Sequence, residues 1–286
     1  MNISIIVPFR NAERTLERCV HSLQAQRYPH GAIEIVLVDN GSTDRSPEIA
    51  AEFHGIVVFR ENHASIYAAR NLGARKATGE ILMFTQANCL AEPDWVKRHM
   101  TALGNPNVSV SIGRLAPIKS TWLLSIFDAY ENTRDDWNFG ADNWKQYFGR
   151  PTNLAIRRKR FEGHGPFEEV LRGGDSLFVQ KVAREISCNE VCYCSNAVVK
   201  HLALDGIGSY LKYQFHNSRI MCSLHSSHSA PIRVRDRVRL FCKTARKEQY
   251  GPIRSTVLLI LLALGVLVWK TGQWSAALRP ATYTEI

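Results

Sequence analysis

The sequence predicts an α/β protein with a doubly wound, mostly parallel sheet, followed by a helical C-terminal segment that associates with a membrane. Apolar strands alternate with helical segments from residue 3 onwards, and the strand at residues 36–39 ends in an acid, Asp39, that runs into a Gly-Ser-Thr-Asp turn. A parallel strand covered on both faces is apolar throughout, so an acid at its carboxyl end lies where open α/β sheets bind ligands. An apolar run over residues 255–269 predicts the membrane-associated segment.

A β-α-β unit opens the chain. Its first strand starts at Ile3 and runs into a polar, proline-bearing turn that ends at Asn11. Its second strand ends at Asp39, after which residues 42–44 form a polar turn and a helix cap. The intervening helix is predicted by apolar residues at helical spacing, namely Leu16, Val20 and Leu23.

The same alternation continues for two more strands. Residues 55–59 form a third strand, residues 67–73 a helix and residues 81–84 a fourth strand. Strands that alternate with helices in this way indicate a doubly wound, mostly parallel sheet. An acid at a strand end is also common in α/β proteins that bind nothing there, so the strand of Asp39 alone does not identify a function.

Five motifs in order carry a resemblance to a known family. They are V-P-F-R-N, V-D-N-G-S-T-D, Y-A-A-R-N-L-G, F-T-Q-A-N-C followed by E-P-D-W, and G-G-D-S-L-F. Together they closely resemble the motifs of the family-2 glycosyltransferases, over roughly residues 1–220. The resemblance implies the GT-A fold, a Rossmann-like nucleotide half fused to an acceptor half. It also implies transfer of one sugar from a nucleotide diphosphate donor, here a UDP- or GDP-sugar.

The resemblance also implies a donor nucleotide site. In the family, the turn after the first strand cups the nucleotide, the acid after the second strand binds the base, and a helix arginine lies close to the diphosphate. Asp39 matches the base-binding acid and Arg70 the arginine, although Arg70 also suits the surface of an amphipathic helix. The full set of candidate donor-binding residues is Pro8, Arg10, Asn11, Asp39, Ser42, Asp44, Arg70, Asn71, Gln86 and Asn88.

The main departure from the family is at residues 85–89, T-Q-A-N-C. Relatives carry an Asp-x-Asp here, whose carboxylates hold a divalent cation that bridges the donor phosphates. Gln86 and Asn88 stand in those places. Amide oxygens bring no negative charge, so the affinity for Mg²⁺ or Mn²⁺ should be much reduced.

Three interpretations of this departure stay open. In the first interpretation, the protein is a transferase that needs little or no metal, because arginines and helix N-termini stabilise the leaving diphosphate. Alternatively, Gln86 and Asn88 form a weak metal site together with His201, which resembles a histidine that some relatives add to the metal shell. In the third interpretation, the domain is catalytically silent and binds only a nucleotide sugar or an acceptor.

Asp175 is the candidate catalytic base. In inverting relatives, an acid of a Glu-Asp pair removes the proton from the acceptor hydroxyl as it attacks the anomeric carbon. Here the pair reads Gly174-Asp175, so the second acid, usually assigned as the base, is retained. A short carboxylate before an apolar helix could instead be only a helix cap. Glu168 and Glu169 are nearby acids that could substitute.

Candidates for binding the sugar or the acceptor come from the second half. Residues 150–157 resemble the strand before the acceptor loop, where Asn153 would lie near the donor sugar. Trp122 and Trp144 belong to a tryptophan-rich stretch. Aromatic faces stack on sugar rings, although most tryptophans are core or interface residues. No Q-x-x-R-W string of the polymerising synthases is present, which favours a single transfer.

Composition narrows the class of protein. The 286 residues include seven cysteines, an odd number that indicates reduced thiols rather than a disulfide framework. The chain starts with a strand and no basic region precedes an apolar run, so a cleavable signal peptide is not expected. The formal charge of +10 is compatible with nucleic-acid binding. However, the cations border an apolar run and no nucleic-acid-binding module is recognisable.

The C-terminal region predicts a membrane tether. Residues 233–247 alternate cations with apolar residues, and the apolar run of residues 255–269 follows. That run spans roughly 22 Å, short of the ~30 Å hydrocarbon core, so a spanning helix must recruit residues 271–278 and let Lys270 snorkel. An interfacial or re-entrant anchor and a buried helix are the alternatives. The basic residues predict the cytoplasmic face of the membrane for the catalytic domain.

These observations predict a domain order and an acceptor class. Residues 1–220 form the GT-A domain, with a nucleotide-sugar half at 1–100 and an acceptor half at 101–220. A basic linker or helical region at 221–252 and a hydrophobic membrane anchor at 253–278 follow. A tether at the inner leaflet suggests a lipid-linked acceptor or a nascent surface glycan, as in cell-envelope polysaccharide biosynthesis.

Overall fold

A computed structural model describes residues 1–63, 65–170, 172–223 and 234–278. Within these residues, one sheet is formed by strands whose spacing follows the alternation seen in the sequence. The strands are β1 (Ile3–Phe9), β2 (Ile33–Asp39), β3 (Val57–Arg60), β4 (Ile81–Phe84), β5 (Cys89–Ala91), β6 (Val110–Pro117), β7 (Leu154–Arg157) and β8 (Val191–His201).

Helices separate most of the strands in the first half of the chain and dominate its C-terminal part. They are α1 (Leu16–Gln24), α2 (Ser46–Ala51), α3 (Ile66–Lys76), α4 (Trp95–Ala102), α5 (Trp122–Gly140), α6 (Arg158–His164), α7 (Gly174–Glu185), α8 (Ile207–Ser223), α9 (Val234–Lys247) and α10 (Pro252–Leu278).

The sheet is mixed and has the order β3-β2-β1-β4-β7-β6-β8-β5. Its parallel part is β3-β2-β1-β4, whereas β7 runs antiparallel to both β4 and β6, and β5 runs antiparallel to β8. In the parallel register, Phe9 lies opposite Asp39 and Ile6 lies opposite Phe84. The strands β1, β2 and β4 therefore end at the same edge of the sheet, which is where the predicted site lies.

The core of this sheet explains why its strands are apolar. All seven residues of β1 are buried, because the strand lies between two others and helices cover the sheet. Helix α1 contributes Leu16, Cys19, Val20 and Leu23 to the same core, at the predicted helical spacing. Helix α3 differs, because its buried face includes polar residues alongside alanines. Buried polar side chains need hydrogen-bonding partners, so those of α3 are candidates for a binding site.

The described chain divides into two compact units that interleave along the sequence. One contains residues 1–115 and 147–202, and the other contains residues 116–146 and 203–286. The first unit holds every predicted donor-site residue and Asp175. The predicted domains are consecutive segments of the chain, whereas these units interleave, so the two divisions have different boundaries. The predicted domain boundaries stay a prediction.

The second unit is helical in the part that the structure describes. Helices α5, α8, α9 and α10 share a core that includes Phe127, Tyr210, Leu240 and Leu258. One of them, α10, is long and apolar enough to cross a membrane. The basic region predicted at residues 221–252 includes α9, and residues 224–233 of that region lie outside the described residues.

Candidate active site

The turns that follow β1 and β2 are locked together by side chains. The backbone N–H of Asn11 donates to Oγ of Ser42 (3.1 Å), and Oδ1 of Asn11 accepts from the backbone N–H of Thr43 (2.8 Å). Asn11 holds a left-handed backbone conformation (φ 49°), which asparagine tolerates better than most residues. The structure therefore brings Asn11 and Ser42 together, although the two are 31 positions apart.

Asp39 ends β2 beside these turns and is buried. Its Oδ1 accepts a hydrogen bond from the backbone N–H of Ser42 at 2.9 Å. Its Oδ2 lies 3.9 Å from Nε of Arg60, beyond hydrogen-bond distance. The carboxylate is thus held by the turn through one oxygen, and its predicted contact with the nucleotide base stays a prediction.

Asp44 supports the same turns rather than facing outward from them. Its Oδ2 accepts from the backbone N–H of Glu13 (3.1 Å) and its Oδ1 from the backbone N–H of Ser46 (3.0 Å). Burial alone would raise the pKa of Asp44, but the hydrogen bonds from Ser46 and Glu13 lower it below its usual value. Of the other predicted residues at this edge, Pro8 is buried in β1 and Arg10 is exposed.

Arg70 is a buried cation on α3 with a side chain that is 1% exposed. Its guanidinium lies 5.2 Å from the centre of the Tyr67 ring. Among the described residues, its Nε and Nη2 atoms have no hydrogen-bond partner. Burial lowers the pKa of Arg70, while Tyr67 and Asp175 act to raise it. A buried guanidinium with unsatisfied N–H groups is unfavourable unless an anion binds it, so this position has the chemistry of an anion site.

Tyr67 lies one turn before Arg70 and contacts Asp175. Its hydroxyl donates to Oδ1 of Asp175 and accepts from the backbone N–H of Gly173 (2.9 Å). Burial, and then the nearby Asp175 carboxylate, raise the pKa of Tyr67 well above its usual value, which keeps the phenol protonated. Sequence reasoning missed Tyr67, although it is the first residue of Y-A-A-R-N-L-G and its spacing from Arg70 places both on one face of α3.

Asn71 fixes the loop that leads to Asp175. Its Nδ2 donates to the carbonyl oxygen of Phe167 (2.9 Å), and its Oδ1 accepts from the backbone N–H of Phe167 (3.0 Å). Because both ends of the amide bind this loop, Asn71 acts here as a brace. Its predicted contact with the donor stays a prediction.

Asp175 lies in the first turn of α7 and is 3% exposed. A methyl group in place of the hydrogen on Gly149 would lie 2.5 Å from Oδ2 of Asp175. The backbone N–H of Gly149 also donates to Oγ of Ser176 (3.0 Å). Gly149 therefore packs directly against the backbone and the carboxylate of Asp175, where a larger side chain would not fit, a role that the sequence did not reveal. The alternative acids Glu168 and Glu169 are exposed, unlike Asp175.

The structure also brings the predicted metal candidates into one region. Gln86 and Asn88 follow β4, and the backbone N–H of Leu202 donates to the carbonyl oxygen of Asn88 (2.9 Å). This contact places His201 at the adjoining position of β8, opposite Cys89. Burial lowers the pKa of His201 to about 4, so the imidazole is neutral and able to bind a metal.

This donor set nevertheless does not suit the expected cation. Within the described residues, no group of three or more His, Cys, Asp or Glu side chains is arranged to hold a metal ion. Mg²⁺ and Mn²⁺ are hard cations that prefer carboxylate oxygens. The side chains of Gln86, Asn88 and His201 offer two neutral amides and one neutral imidazole. The residues present therefore do not fit a tightly held divalent cation.

Asn153 is fully buried and is used by the fold. Its Oδ1 is bound by Nε1 of Trp95 (2.7 Å) and by Nε2 of His99 (2.8 Å). Its Nδ2 donates to the carbonyl oxygens of Arg114 (2.7 Å) and Ala197 (2.8 Å). Since an amide has two acceptor sites and two donor hydrogens, all four are occupied by protein. Asn153 thus joins β6, β7, β8 and α4, and its predicted place near the donor sugar stays a prediction.

The two acceptor-site tryptophans belong to the second unit. Trp122 starts α5 and its side chain is largely exposed. Trp144 is half-buried in a short 3₁₀ turn, where Nζ of Lys145 lies 5.5 Å from the centre of its ring. An exposed indole face is available for stacking on a sugar, so the predicted role of Trp122 suits its exposure.

The sequence of this chain matches a known family of proteins. A model of glycosyl transferase family 2 matches residues 4–164, which include all ten donor-site candidates but not Asp175. A curated relative, glycosyltransferase AglE of Haloferax volcanii, is 27% identical over 221 residues, covering 74% of this chain and 70% of its own length. The chain spans 16% and 48% of the lengths of two further curated relatives.

Solved structures share the fold at low sequence identity. The mannosyltransferase PcManGT from Pyrobaculum calidifontis, solved with GDP-Man and Mn²⁺, has a TM-score of 0.62 and 20% identity, covering 98% of this chain and 76% of its own. Residues 1–349 of S. aureus TarS, solved with UDP-GlcNAc, have a TM-score of 0.53 and 16% identity, covering 98% and 93%. The predicted GT-A fold is confirmed by this similarity.

Proposed function

Because the chain belongs to glycosyl transferase family 2, we propose that it moves a single sugar from a UDP- or GDP-sugar to a hydroxyl of a membrane-presented acceptor, with inversion at the anomeric carbon. One observation carries the proposal. A buried carboxylate, Asp175, and a buried guanidinium with unsatisfied N–H groups, Arg70, lie on either side of Tyr67. Sugar transfer needs both kinds of group, a base for the acceptor and a cation for the departing diphosphate.

The donor would bind at the edge where β1, β2 and β4 end. Asp39, held through one oxygen by the turn, would bind the base, and the braced turns of Asn11 and Ser42 would enclose the nucleotide. The diphosphate would reach Arg70. An anion at that position would give the buried N–H groups charge-assisted hydrogen bonds, which are stronger than neutral ones. Solved structures with bound GDP-Man and UDP-GlcNAc support nucleotide sugars as the donor class.

Asp175 would act as the base. Its Oδ1 is held by Tyr67, while its Oδ2 lies beside Gly149 and accepts no hydrogen bond from Tyr67. The acceptor oxygen would form a bond to the anomeric carbon as its proton passes to Asp175. The bond from that carbon to the diphosphate oxygen would break in the same step, and the negative charge would leave on the nucleoside diphosphate.

The charge on the leaving group would be met by Arg70 rather than by a tightly bound cation. Preorganised N–H donors in a buried site stabilise developing negative charge without reorganising. The neutral donor set of Gln86, Asn88 and His201 supports this assignment, and any Mg²⁺ or Mn²⁺ bound there would be weak or dispensable.

The acceptor is proposed to be lipid-linked or part of a nascent surface glycan. This rests on α10, whose length and apolar composition suit a membrane, and on the cations of α9 that precede it. Cations beside an apolar segment favour the anionic cytoplasmic leaflet. Trp122 and Trp144 remain candidates for stacking on the acceptor sugar.

Calorimetric titration of UDP and a panel of UDP- and GDP-sugars, with Mg²⁺, with Mn²⁺ and with a chelator, tests the proposal. We expect binding that survives chelation and is weakened by Arg70→Met. Binding that disappears with the chelator would assign the diphosphate to a cation held by Gln86 and Asn88. Absence of binding to every nucleotide sugar would contradict the proposal, and binding without transfer to any acceptor would favour a catalytically silent domain.

A further inference from the structure

We propose that the second unit docks on an anionic phospholipid bilayer with α10 lying along the surface, so that the helix does not cross the membrane. This inference rests on the membrane association in the proposed function and deepens it. It assigns to the anchor a geometry that the sequence left open. It follows from three features: α10 has a buried face and an exposed apolar face, other helices pack on the buried face, and the preceding helix α9 is rich in cations.

Helix α10 has two distinct faces. Its buried residues include Leu258, Leu261, Gly272 and Ala276, which are spaced by three, four or more residues and share one side of the helix. The opposite side is apolar and exposed, with exposed fractions between 57% and 65% in four large side chains. These are Leu259, Ile260, Leu267 and Trp274.

The buried face is covered along most of its length by other helices of the same unit. A methyl group on Gly265 would touch the ring of Phe127 in α5 at 3.8 Å, and one on Gly272 would collide with Oγ of Ser218 in α8. At 1.5 Å per residue, Gly265 and Gly272 lie about 20 Å and about 30 Å along α10 from Pro252. Because Leu258 and Leu261 also share a core with Phe127 and Tyr210, helices α5 and α8 accompany α10 over about 20 Å, most of the ~30 Å thickness of the hydrocarbon core.

These accompanying helices are too polar for the interior of a bilayer. Helix α5 carries Asp128, Glu131 and Arg134, and α8 carries Lys212 and Arg219. If α10 crossed the membrane with this packing, the charged helices would enter the hydrocarbon with it, where charged side chains are strongly unfavourable. If α10 lies along the surface, its outward face enters the lipid and α5 and α8 stay in water.

The charge of α9 selects the partner. Leu240 and Thr244 face the core of the unit, while Arg235, Lys243 and Arg246 are exposed on the other side of the helix. Four residues separate the end of α9 from the start of α10, so Lys243 and Arg246, near the end of α9, lie close along the chain to the apolar helix. A second copy of the chain would bring the same positive charge, whereas an anionic lipid surface complements it.

Flotation of the purified full chain with vesicles tests the docking. We expect binding to phosphatidylcholine vesicles with 30% phosphatidylglycerol to exceed binding to pure phosphatidylcholine by at least about tenfold, and to fall as salt rises. The double variant Ile260→Glu, Leu267→Glu should lose at least about tenfold in binding. A matched control, Val57→Glu with Val58→Glu, changes two exposed apolar residues of β3 and should bind as the unmodified chain does. Equal flotation of both variants, or none of the unmodified chain, would overturn the proposal.

Protease access to tags at both ends distinguishes a surface helix from a spanning one. In inverted bacterial membrane vesicles, both tags should be digested, and in spheroplasts both should be protected. Digestion of the C-terminal tag from outside spheroplasts would show a crossing helix and overturn the proposal. Calorimetric UDP binding, measured on the same variants, reports on the donor site separately, so a failure of docking is not confused with a failure of the proposed activity.

Discussion

Tyr67 and Asp175 are 108 positions apart in the sequence and share a buried hydrogen bond in which the phenol donates to Oδ1 of the carboxylate. The bond ties α3, which also carries Arg70, to the first turn of α7. Tyr67 thus contacts both Asp175, the candidate base, and Arg70, the residue proposed to bind the donor diphosphate. Any change in Tyr67 should be felt at both groups.

Asp175→Asn should abolish transfer while leaving nucleotide binding nearly unchanged. Asparagine keeps the shape of the side chain but accepts no proton, and loss of a general base costs about 10²- to 10⁴-fold in rate. Transfer assays and UDP calorimetry measure the two effects. Glu168→Gln, a matched change of an exposed acid in the preceding loop, should leave transfer intact. If Glu168→Gln were the damaging change instead, the base would have been assigned to the wrong acid.

Tyr67→Phe should destabilise the protein and slow transfer. The change removes the donor to Asp175 and leaves the backbone N–H of Gly173 without its acceptor, so the free energy of unfolding should fall by about 1–3 kcal/mol. Denaturant unfolding measures this loss. Tyr28→Phe, at a half-buried tyrosine of the same unit, is the control and should change stability much less. Equal losses in the two variants would show that the Asp175 contact adds nothing.

Arg70→Met should stabilise the nucleotide-free protein and weaken donor binding. Methionine fills similar space without burying unsatisfied N–H groups, so the free energy of unfolding should rise by about 1–3 kcal/mol. Affinity for UDP should fall roughly 10- to 100-fold, as the loss of charge-assisted hydrogen bonds predicts. Arg75→Met, at an exposed position of the same helix, should change neither quantity. A less stable Arg70→Met protein with unchanged UDP affinity would mean that Arg70 serves packing alone.

Gly149→Ala should impair transfer more than it impairs UDP binding. The added methyl group would lie 2.5 Å from both the carbonyl carbon and Oδ2 of Asp175, so the carboxylate must move. Gly163→Ala provides the control, since a methyl group there would have no neighbour within 4 Å. Steady-state kinetics should show a lower kcat for Gly149→Ala. An unchanged kcat would mean that the loop absorbs the methyl group without moving Asp175.

Stability should fall between pH 6.5 and about 4. Burial lowers the pKa of His99 from 6.5 to about 4, so the unfolded chain binds a proton in this range that the folded protein does not. The lowered pKa of His99 therefore contributes about 3 kcal/mol to the free energy of unfolding above pH 6.5, and this contribution is lost as the pH falls towards 4. Urea unfolding at several pH values measures the slope. His99→Gln should reduce the slope without removing it, because His201 has a similarly lowered pKa. An unchanged slope would contradict the prediction.

The sequence predicts the strands and the acid at the end of β2 well, because both depend on local patterns. The fourth strand occupies residues 81–84 as predicted, and Asp39 ends β2 at the edge where β1 and β4 also end. The third strand is displaced by one or two residues, since strand ends depend on pairing with β2 rather than on composition. Of the predicted strand at residues 150–157, only the part from Leu154 pairs with its neighbours.

The rest of the site depends on contacts between distant residues, which local patterns do not encode. Tyr67 looks like an ordinary helix residue until α7 places Asp175 against it. Gly149 belongs to none of the five sequence motifs, and it matters only because Asp175 of α7 packs against it. Asn153 matches a family position, yet its amide is fully used by four partners from three separate segments of the chain. A sequence motif identifies a residue but does not show which distant residues contact it.

The packing of α10 in the core of the second unit has a practical consequence for producing this protein. Cutting the chain at Gly251 to remove the apolar tail would also remove Leu258 and Leu261 from the core that they share with Phe127 and Tyr210. The newly bared patch on α5 and α8 would favour aggregation. Solubility is therefore better sought by replacing the outward residues of α10, which leaves that core closed, than by shortening the chain.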